Sequence, residues 1–383
     1  MKKLFNKTPQ IFSDSGIVTT PDLLKNWIEL SKSAATANAQ QFQQWLGPVT
    51  KISAVLKSNA YGHGLIAMAT LYDECDAIAT LSVINLYEAV QLRQHGIKKT
   101  ILVIGYLDAA YDLIVKYDIH VVIYDLLLAE QLNEVGKKYN TQIIVHIKFD
   151  SGMHRLGILP DNLDQFIQEL KKLPFITIQG IFSHFAQSYI ATTTHHQEDV
   201  FVIATHYGLQ THISNSHGTL TAHHKNYTFA RIGIGLYGYL QKYDQDVQNM
   251  LKPVLSLKTR ILQIKQVKAG SFIGYDATYQ APTDITIAII AIGYAEGLDA
   301  RLSNCGSVMI NDQFAPIIGR VCMNLTIVNI SSIQNCSVGQ VVTVLGSEKN
   351  LSISAYDWSA LTQASAYNHL TKISSSLVKI IVD

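Results

Sequence analysis

The sequence predicts an α/β fold: a (β/α)8 barrel followed by a mostly β C-terminal domain. Three observations predict it. Short, nearly continuous apolar runs alternate with amphipathic stretches through the first two thirds of the chain, the pattern of parallel strands buried on both faces and joined by crossover helices. Eight such runs can be counted, the number that closes a barrel; an open doubly wound sheet is the alternative. After about residue 250, helical periodicity nearly vanishes and short strands separated by Gly, Asn-Asp and Ser-rich turns take over.

The expected barrel strands are ISAVLK (52–57), AIATLSV (77–83), ILVIG (101–105), HVVIYD (120–125), IIVHIKFD (143–150), ITIQGIFSH (176–184), HISNS (212–216) and FARIGIG (229–235). Helices are expected over 85–95, 126–139, 162–173 and 198–209, with another from Leu23 to about Trp45 ahead of the first strand. The 162–173 segment follows Pro160 and Asp161, a helix-start signature, and sets Phe166, Leu170 and Leu173 on one stripe. In the second domain the strand-like segments are LSLKTRILQIKQV, DITIAIIAI, SVMIN, FAPIIGRV, LTIVNI and QVVTVLG, with one helix over DWSALTQAS (357–365). The domains are therefore expected at 1–250, including a lead-in at 1–22, and at 251–383.

Composition narrows the function classes. Thirty Lys and Arg against 29 Asp and Glu leave a net charge of +1, which offers no basic footprint for nucleic acid. A hydrophobic fraction of 48% with only 15% charged residues excludes disorder and provides for a large core and a buried subunit interface. Lys7 and Pro9 interrupt the opening apolar residues, so no secretory signal is expected. No run reaches 18 apolar residues, and the four cysteines form no CxxC pair. The expectation is a cytoplasmic protein with no membrane span and no disulfide scaffold.

On a barrel, function belongs at the C-terminal ends of the strands. Polar groups repeatedly end the apolar runs there: Lys57, then Lys148 with Arg155 just beyond, His184, Asn215-Ser216, and Arg231 with Gly233-Ile234. Taken singly, each has an ordinary reading. A lysine can be a solvated strand end, a histidine a satisfied core residue, and glycines around Tyr61 and His63 a simple turn. Five on one rim point to a site. Eight of the fourteen histidines fall between His184 and His224, but no HxxxH or HExxH pattern accompanies them, and no metal is expected.

These residues also carry a family resemblance. AVLKSNAYGHG around Lys57 is similar to the cofactor-lysine signature of alanine racemases, the fold-type III pyridoxal-phosphate enzymes. IKFDSGMHRLGI, FSHFAQS, Asn215-Ser216, ARIGIGLYG, IGYDATY, AIGYAEGLDARLS and GRVCMNLTIV follow in that family's order, from about Trp27 to Tyr367. The resemblance implies pyridoxal 5'-phosphate held as a Schiff base on Lys57, and two-base racemisation of L- and D-alanine for peptidoglycan synthesis. Lys57 would move the α-proton on one face and Tyr294 on the other. Tyr294 and the Met323 backbone N–H would come from the partner of a homodimer with shared active sites. Arg231 would face the pyridine nitrogen, with His184 in the same polar network. Tyr61, Ser216, Gly233, Ile234 and Tyr367 would hold the phosphate. Arg155 would contact the ring hydroxyl and help place the carboxylate of a small amino-acid substrate, and Lys148 matches a position often carbamylated.

The chain departs from the family pattern at several positions. Asn324 stands for the usual Asp after Cys-Met, Glu296 for Asp in the tyrosine motif, and His154 for a small residue. Tyr367-Asn368 stands for Tyr-Glu, and SSSLVK lacks an arginine. A racemase of serine or of larger amino acids on the same scaffold is the nearest rival. A decarboxylase lacks its cysteine signature here. A non-catalytic pyridoxal-phosphate-binding barrel would lack the second domain with Tyr294 and Met323.

Overall fold

The computed structural model describes residues 11–12, 23–223, 226–240 and 245–383; most of the 1–22 lead-in lies outside the described residues. Two compact units divide the chain. A barrel unit comprises 34–60 and 68–252, and a β unit comprises the described parts of 1–33 together with 61–67 and 253–383.

The barrel strands are β1 (Lys51–Val55), β2 (Ile78–Val83), β3 (Thr100–Val103), β4 (Val121–Ile123), β5 (Ile143–Lys148), β6 (Ile176–Phe182), β7 (Gln210–His212) and β8 (Phe229–Ile232). Parallel ladders run β8-β1-β2-β3 and β4-β5-β6-β7. The first seam is closed by the parallel Leu102–His120 bridge. At the second, Thr228 N–H bonds Thr211 O at 2.8 Å and Arg231 N–H bonds Ser214 O at 2.9 Å. The ring is therefore closed and leaves no exposed edge.

Alternation along each strand separates two environments. Ile52, Ala54, Val145 and Ile147 are fully buried at alternate positions. The intervening residues meet one another instead: Ser53 and Ser82 share a 2.7 Å hydrogen bond, and His146 meets His212. A second layer of burial comes from the crossover helices. The helix Leu126–Tyr139 keeps the expected bounds, because the Asp125 side chain caps Leu128 N–H and Asn140 ends it in a left-handed conformation.

Four local expectations are corrected. The expected helix from Leu23 is in fact a strand over Asn26–Ser31 followed by a helix over Lys32–Leu46. Trp27, Ile28 and Leu30 are buried between two flanking strands. The seventh barrel strand starts two residues before HISNS and ends at its first residue, His212; further on, the Asn215 side chain accepts N–H groups of His217 and Gly218 and turns the chain. The eighth stops at Ile232, where Gly233 leaves the extended region and a 3-10 turn over Ile234–Tyr237 follows. The helix placed at 198–209 occupies Ala191–Thr205, starting earlier with Thr194 Oγ1 bonded back to Ile190 O. Helices over Leu65–Asp73 and Asp112–Lys116 were not anticipated.

The β unit is organised by one long strand, Leu255–Val267. It pairs antiparallel with Asn26–Ser31, Ile285–Ile290 and Val341–Glu348. Asn26–Ser31 in turn runs parallel to Val378–Val382. Gly62 lies at φ +85, and a Cβ there would come within 1.8 Å of Leu370 O. Gly62→Ala is expected to cost about 3 kcal/mol, through overpacking combined with a strained backbone. The check is the denaturant midpoint, which should fall well below that of wild type.

Candidate active site

Lys57 follows β1 by two residues, at the C-terminal rim. The chain then does something unusual for L-residues: Ser58, Asn59, Ala60 and Tyr61 all have φ between 51 and 57. This is one left-handed turn, closed by Ala60 N–H to Leu56 O at 2.7 Å. Each such residue costs roughly 1–2 kcal/mol, so the turn needs support. Glu88 provides part of it: Oε1 accepts Ser58 N–H at 2.7 Å and Oε2 accepts Ile84 N–H at 3.0 Å.

Lys148 ends β5, and its ammonium lies 4.6 Å from the centre of the Phe182 ring. The next turn carries Arg155. Asp150 orders that turn by accepting N–H groups of Gly152, Met153 and His154, each at 3.0 Å. Burial pushes the Asp150 carboxyl up, and these donors more than offset it, so its pKa lies below the ordinary value.

Arg231 in β8 is buried and meets only neutral acceptors. Nη1 donates to His212 Nδ1 at 2.7 Å and His212 O at 2.8 Å. Nη2 donates to Ser183 O at 2.5 Å and faces His184 Nδ1 at 3.2 Å. The Phe182 ring lies 5.1 Å from the guanidinium carbon and stacks on His212 with centroids 4.8 Å apart. Burial, then Arg155, lowers the Arg231 pKa to about 9, which still leaves it charged at neutral pH.

The remaining groups titrate in that field. Burial, then Arg155 and Arg231, lowers the Lys57 pKa, with Glu88 opposing. Burial, then Arg231 and Arg155, takes Lys148 well below its usual range. Burial and the surrounding cations likewise hold His184 and His212 well below theirs, and His146 falls to about 3. Among the described residues no ion pair engages Lys57, Lys148, Arg155 or Arg231. Two arginines and two lysines of lowered pKa around one rim, none of them in an ion pair among the described residues, form a site suited to an anionic ligand. Nearby, Ser216 Oγ accepts N–H groups of Gly233 and Gly235, both at 3.1 Å, drawing the loops after β7 and β8 together next to Ile234.

Within the β unit the other expected residues fall into two groups. Tyr61 and Tyr367 are partners, with ring centroids 6.0 Å apart; burial raises the Tyr367 pKa to about 12. Tyr294 and Met323 are both exposed on adjoining loops. Tyr294 N–H bonds Cys322 O at 3.1 Å and Ala295 N–H bonds Met323 O at 2.9 Å. Glu296 pins the same pair, accepting Gly293 N–H and Asn324 Nδ2–H, each at 2.8 Å. Two of the departures noted in the sequence, Glu296 and Asn324, are thus a single interaction. A carboxylate at 324 would face another carboxylate.

Sequence reasoning overlooked Glu88, Phe182, His146 and His212 as parts of the site. The signal available for His146 was parity, an alternate position in the apolar run IIVHIK; His212, which ends the short polar strand Gln210–His212, carried no such signal. No group of three or more His, Cys, Asp or Glu among the described residues is arranged to hold a metal ion; His224 lies outside them. No helix among the described residues is long and apolar enough to cross a membrane.

A neutral buried histidine has a sign to its pH dependence. His146, His184 and His212 have folded pKa values below the ordinary 6.5, so below that pH the unfolded chain binds protons that the folded chain does not. Stability should therefore fall as pH drops below about 6.5, by up to about 1.4 kcal/mol per pH unit for each histidine. Equal denaturant midpoints at pH 7.5 and pH 5 would reject this.

Comparison with known proteins agrees with the fold. The model of the alanine racemase N-terminal domain matches residues 30–241, and that of the C-terminal domain matches 254–381. The chain is 33% identical to an alanine racemase of Methylacidiphilum infernorum, with 92% of each chain covered. It is 35% identical to one of Halothermothrix orenii, covering 86% of this chain and 90% of the relative. The solved alanine racemase of Clostridium difficile 630 superposes with a TM-score of 0.88 at 30% identity, covering 94% of this chain and 96% of that one. That of Bacillus anthracis with bound L-Ala-P superposes at 0.85 and 29% identity, covering 95% and 96%.

Proposed function

The chain belongs to the alanine racemase family, and on that premise we propose that it interconverts L- and D-alanine with pyridoxal 5'-phosphate, as a cytoplasmic homodimer supplying D-alanine for peptidoglycan. One observation carries the reading: a half-buried Lys57 of lowered pKa stands with Lys148, Arg155 and Arg231, none of the four in an ion pair among the described residues. A racemase needs a neutral amine there and an anionic cofactor beside it.

When bound, pyridoxal phosphate supplies the electron sink that withdraws charge from the substrate's α-carbon. The chain's own residues do the rest. Lys57 would hold the cofactor covalently and, once free, would accept or return the α-proton on one face. Its lowered pKa keeps more of the amine unprotonated near neutral pH. Tyr294 of the partner subunit handles the proton on the opposite face. His184 assists it: with Nδ1 turned to Arg231, a neutral His184 carries its proton on Nε2 and can donate to a phenolate.

Arg231 is charged and donor-only, so it would meet the pyridine nitrogen as a donor without protonating it, which would limit electron withdrawal and favour quick return of the proton over transamination. On the family resemblance, Tyr61, Ser216, Gly233, Ile234 and Tyr367 would hold the phosphate. Arg155 and the backbone N–H of the partner subunit's Met323 hold the substrate carboxylate. Lys148, buried and poorly able to keep a charge, is primed for carbamylation, which would give Arg155 the anion it lacks.

Purified protein should show a visible absorption band, and borohydride should fix the cofactor on Lys57. Lys57→Ala should abolish turnover of D-alanine; retained racemisation would overturn the assignment. Tyr294→Phe should suppress α-proton exchange from one alanine enantiomer at least tenfold more than from the other. Equal suppression would reject the two-base scheme. The Glu296–Asn324 pairing beside Met323 leaves a second reading, a racemase of serine or larger amino acids. Rates across alanine, serine, lysine and arginine separate the two.

A further inference from the structure

Arg231 does not end its hydrogen bonding at His212. The chain of contacts continues into the barrel, and donor–acceptor logic gives it a direction. A guanidinium carries donors only, so His212 Nδ1, 2.7 Å from Arg231 Nη1, must accept. Neutral His212 therefore bears its proton on Nε2. That N–H lies 3.0 Å from His146 Nδ1, which must accept in its turn. His146 then bears its own proton on Nε2, 3.2 Å from the amide oxygen of Gln179, an acceptor in every state. Each link runs from donor to acceptor, from Arg231 to Gln179.

The surroundings make this order consequential. Both imidazoles are buried. Burial, reinforced at His212 by Arg231 and at His146 by His120, holds both neutral, so neither can supply a second proton. His146 lies over β6 where only glycine leaves room: a Cβ on Gly180 would fall 2.4 Å from His146 Nδ1. Beside it the barrel interior holds a cavity of about 80 Å³ lined by Ser53, Thr80, His120, His146, Gln179 and His212, among others. Most residues lining the cavity carry polar side chains, and the hydrogen bonds that each imidazole makes set which of its nitrogens carries the proton.

We propose that His146 and Gln179 are positioning residues for Arg231, locking His212 as the Nε2–H tautomer so that its Nδ1 holds the guanidinium in place at the rim. This rests on the reading of Arg231 as the group that meets the pyridine nitrogen. Without His146, the His212 Nε2–H loses its acceptor, and the ring is free to swap tautomer or flip. Either change removes the acceptor that faces Arg231 Nη1 and displaces the guanidinium.

The test uses pyridoxal-phosphate-loaded enzyme labelled with 15N-histidine, comparing wild type with His146→Leu, Gln179→Leu and the conservative His146→Asn, whose amide oxygen can replace Nδ1 as acceptor. In wild type, His212 is expected as a single Nε2–H tautomer. In His146→Leu its signals should average or switch, and kcat should fall about tenfold with KM little changed; Gln179→Leu should do the same more weakly. His146→Asn should restore the tautomer and most of the rate. An Nδ1–H tautomer of His212 in wild type overturns the proposal, as does a folded His146→Leu enzyme with unchanged tautomer and kcat. If His146→Leu does not fold, the wild-type tautomer and the Asn variant decide. The tautomer is read without turnover, so a protein that holds the relay but fails to racemise alanine would reject the functional reading alone.

Discussion

A guanidinium buried without a carboxylate is the constraint around which the barrel rim is arranged. Arg231 cannot shed its charge, and solvent does not reach it, so every donor must find a neutral acceptor. The carbonyls of Ser183 and His212 and the nitrogens of two imidazoles meet that demand. β6 and β7 therefore end where they do partly to turn acceptors toward β8. Hydrogen bonds satisfy the guanidinium's geometry but leave its charge. Burial, and after it the same positive field, depresses the basicity of Lys57 and Lys148 and keeps the neighbouring histidines neutral. A site of this kind is prepared electrostatically for an anion before one arrives.

The β unit solves a different problem, that of presenting exposed side chains precisely. Tyr294 and Met323 are on loops, where positions are ordinarily loose. Backbone bonds between the two loops, with the Glu296 carboxylate bridging Gly293 and Asn324, bind them into one piece. Asn324 matters here as a donor where an aspartate would repel. The two unusual residues make structural sense together and little sense apart.

How much of this was legible depended on the range of the interactions involved. The barrel strands could be read because burial on both faces writes itself into consecutive residues, as in IIVHIK. The rim residues could be read because polar groups at the ends of such runs need a reason. Asn26–Ser31 was misread as helix because its apolar residues suit either period. Its strand character comes from Leu255–Thr259 and Val378–Val382, more than two hundred residues away. The left-handed turn after Lys57 was invisible for the opposite reason: Ser58, Asn59 and Ala60 do not announce positive φ as glycine would, and the support comes from Glu88. His146 gave a parity signal, but its meeting with His212 across β6 is a contact that no local pattern carries.

The parallel pairing of Asn26–Ser31 with Val378–Val382 has a temporal side. Ser31 and Ser33 also bond the carboxylate of Asp383, so this segment finds its neighbour only among residues synthesised some 350 positions later. The strands of the barrel lie within about 180 residues of one another and can assemble while synthesis continues. Asn26–Ser31, with buried Trp27, Ile28 and Leu30, must wait with an unpaired edge throughout. Such an edge invites association with another chain, and a nascent chain interrupted anywhere before Val378 would carry that exposed edge permanently.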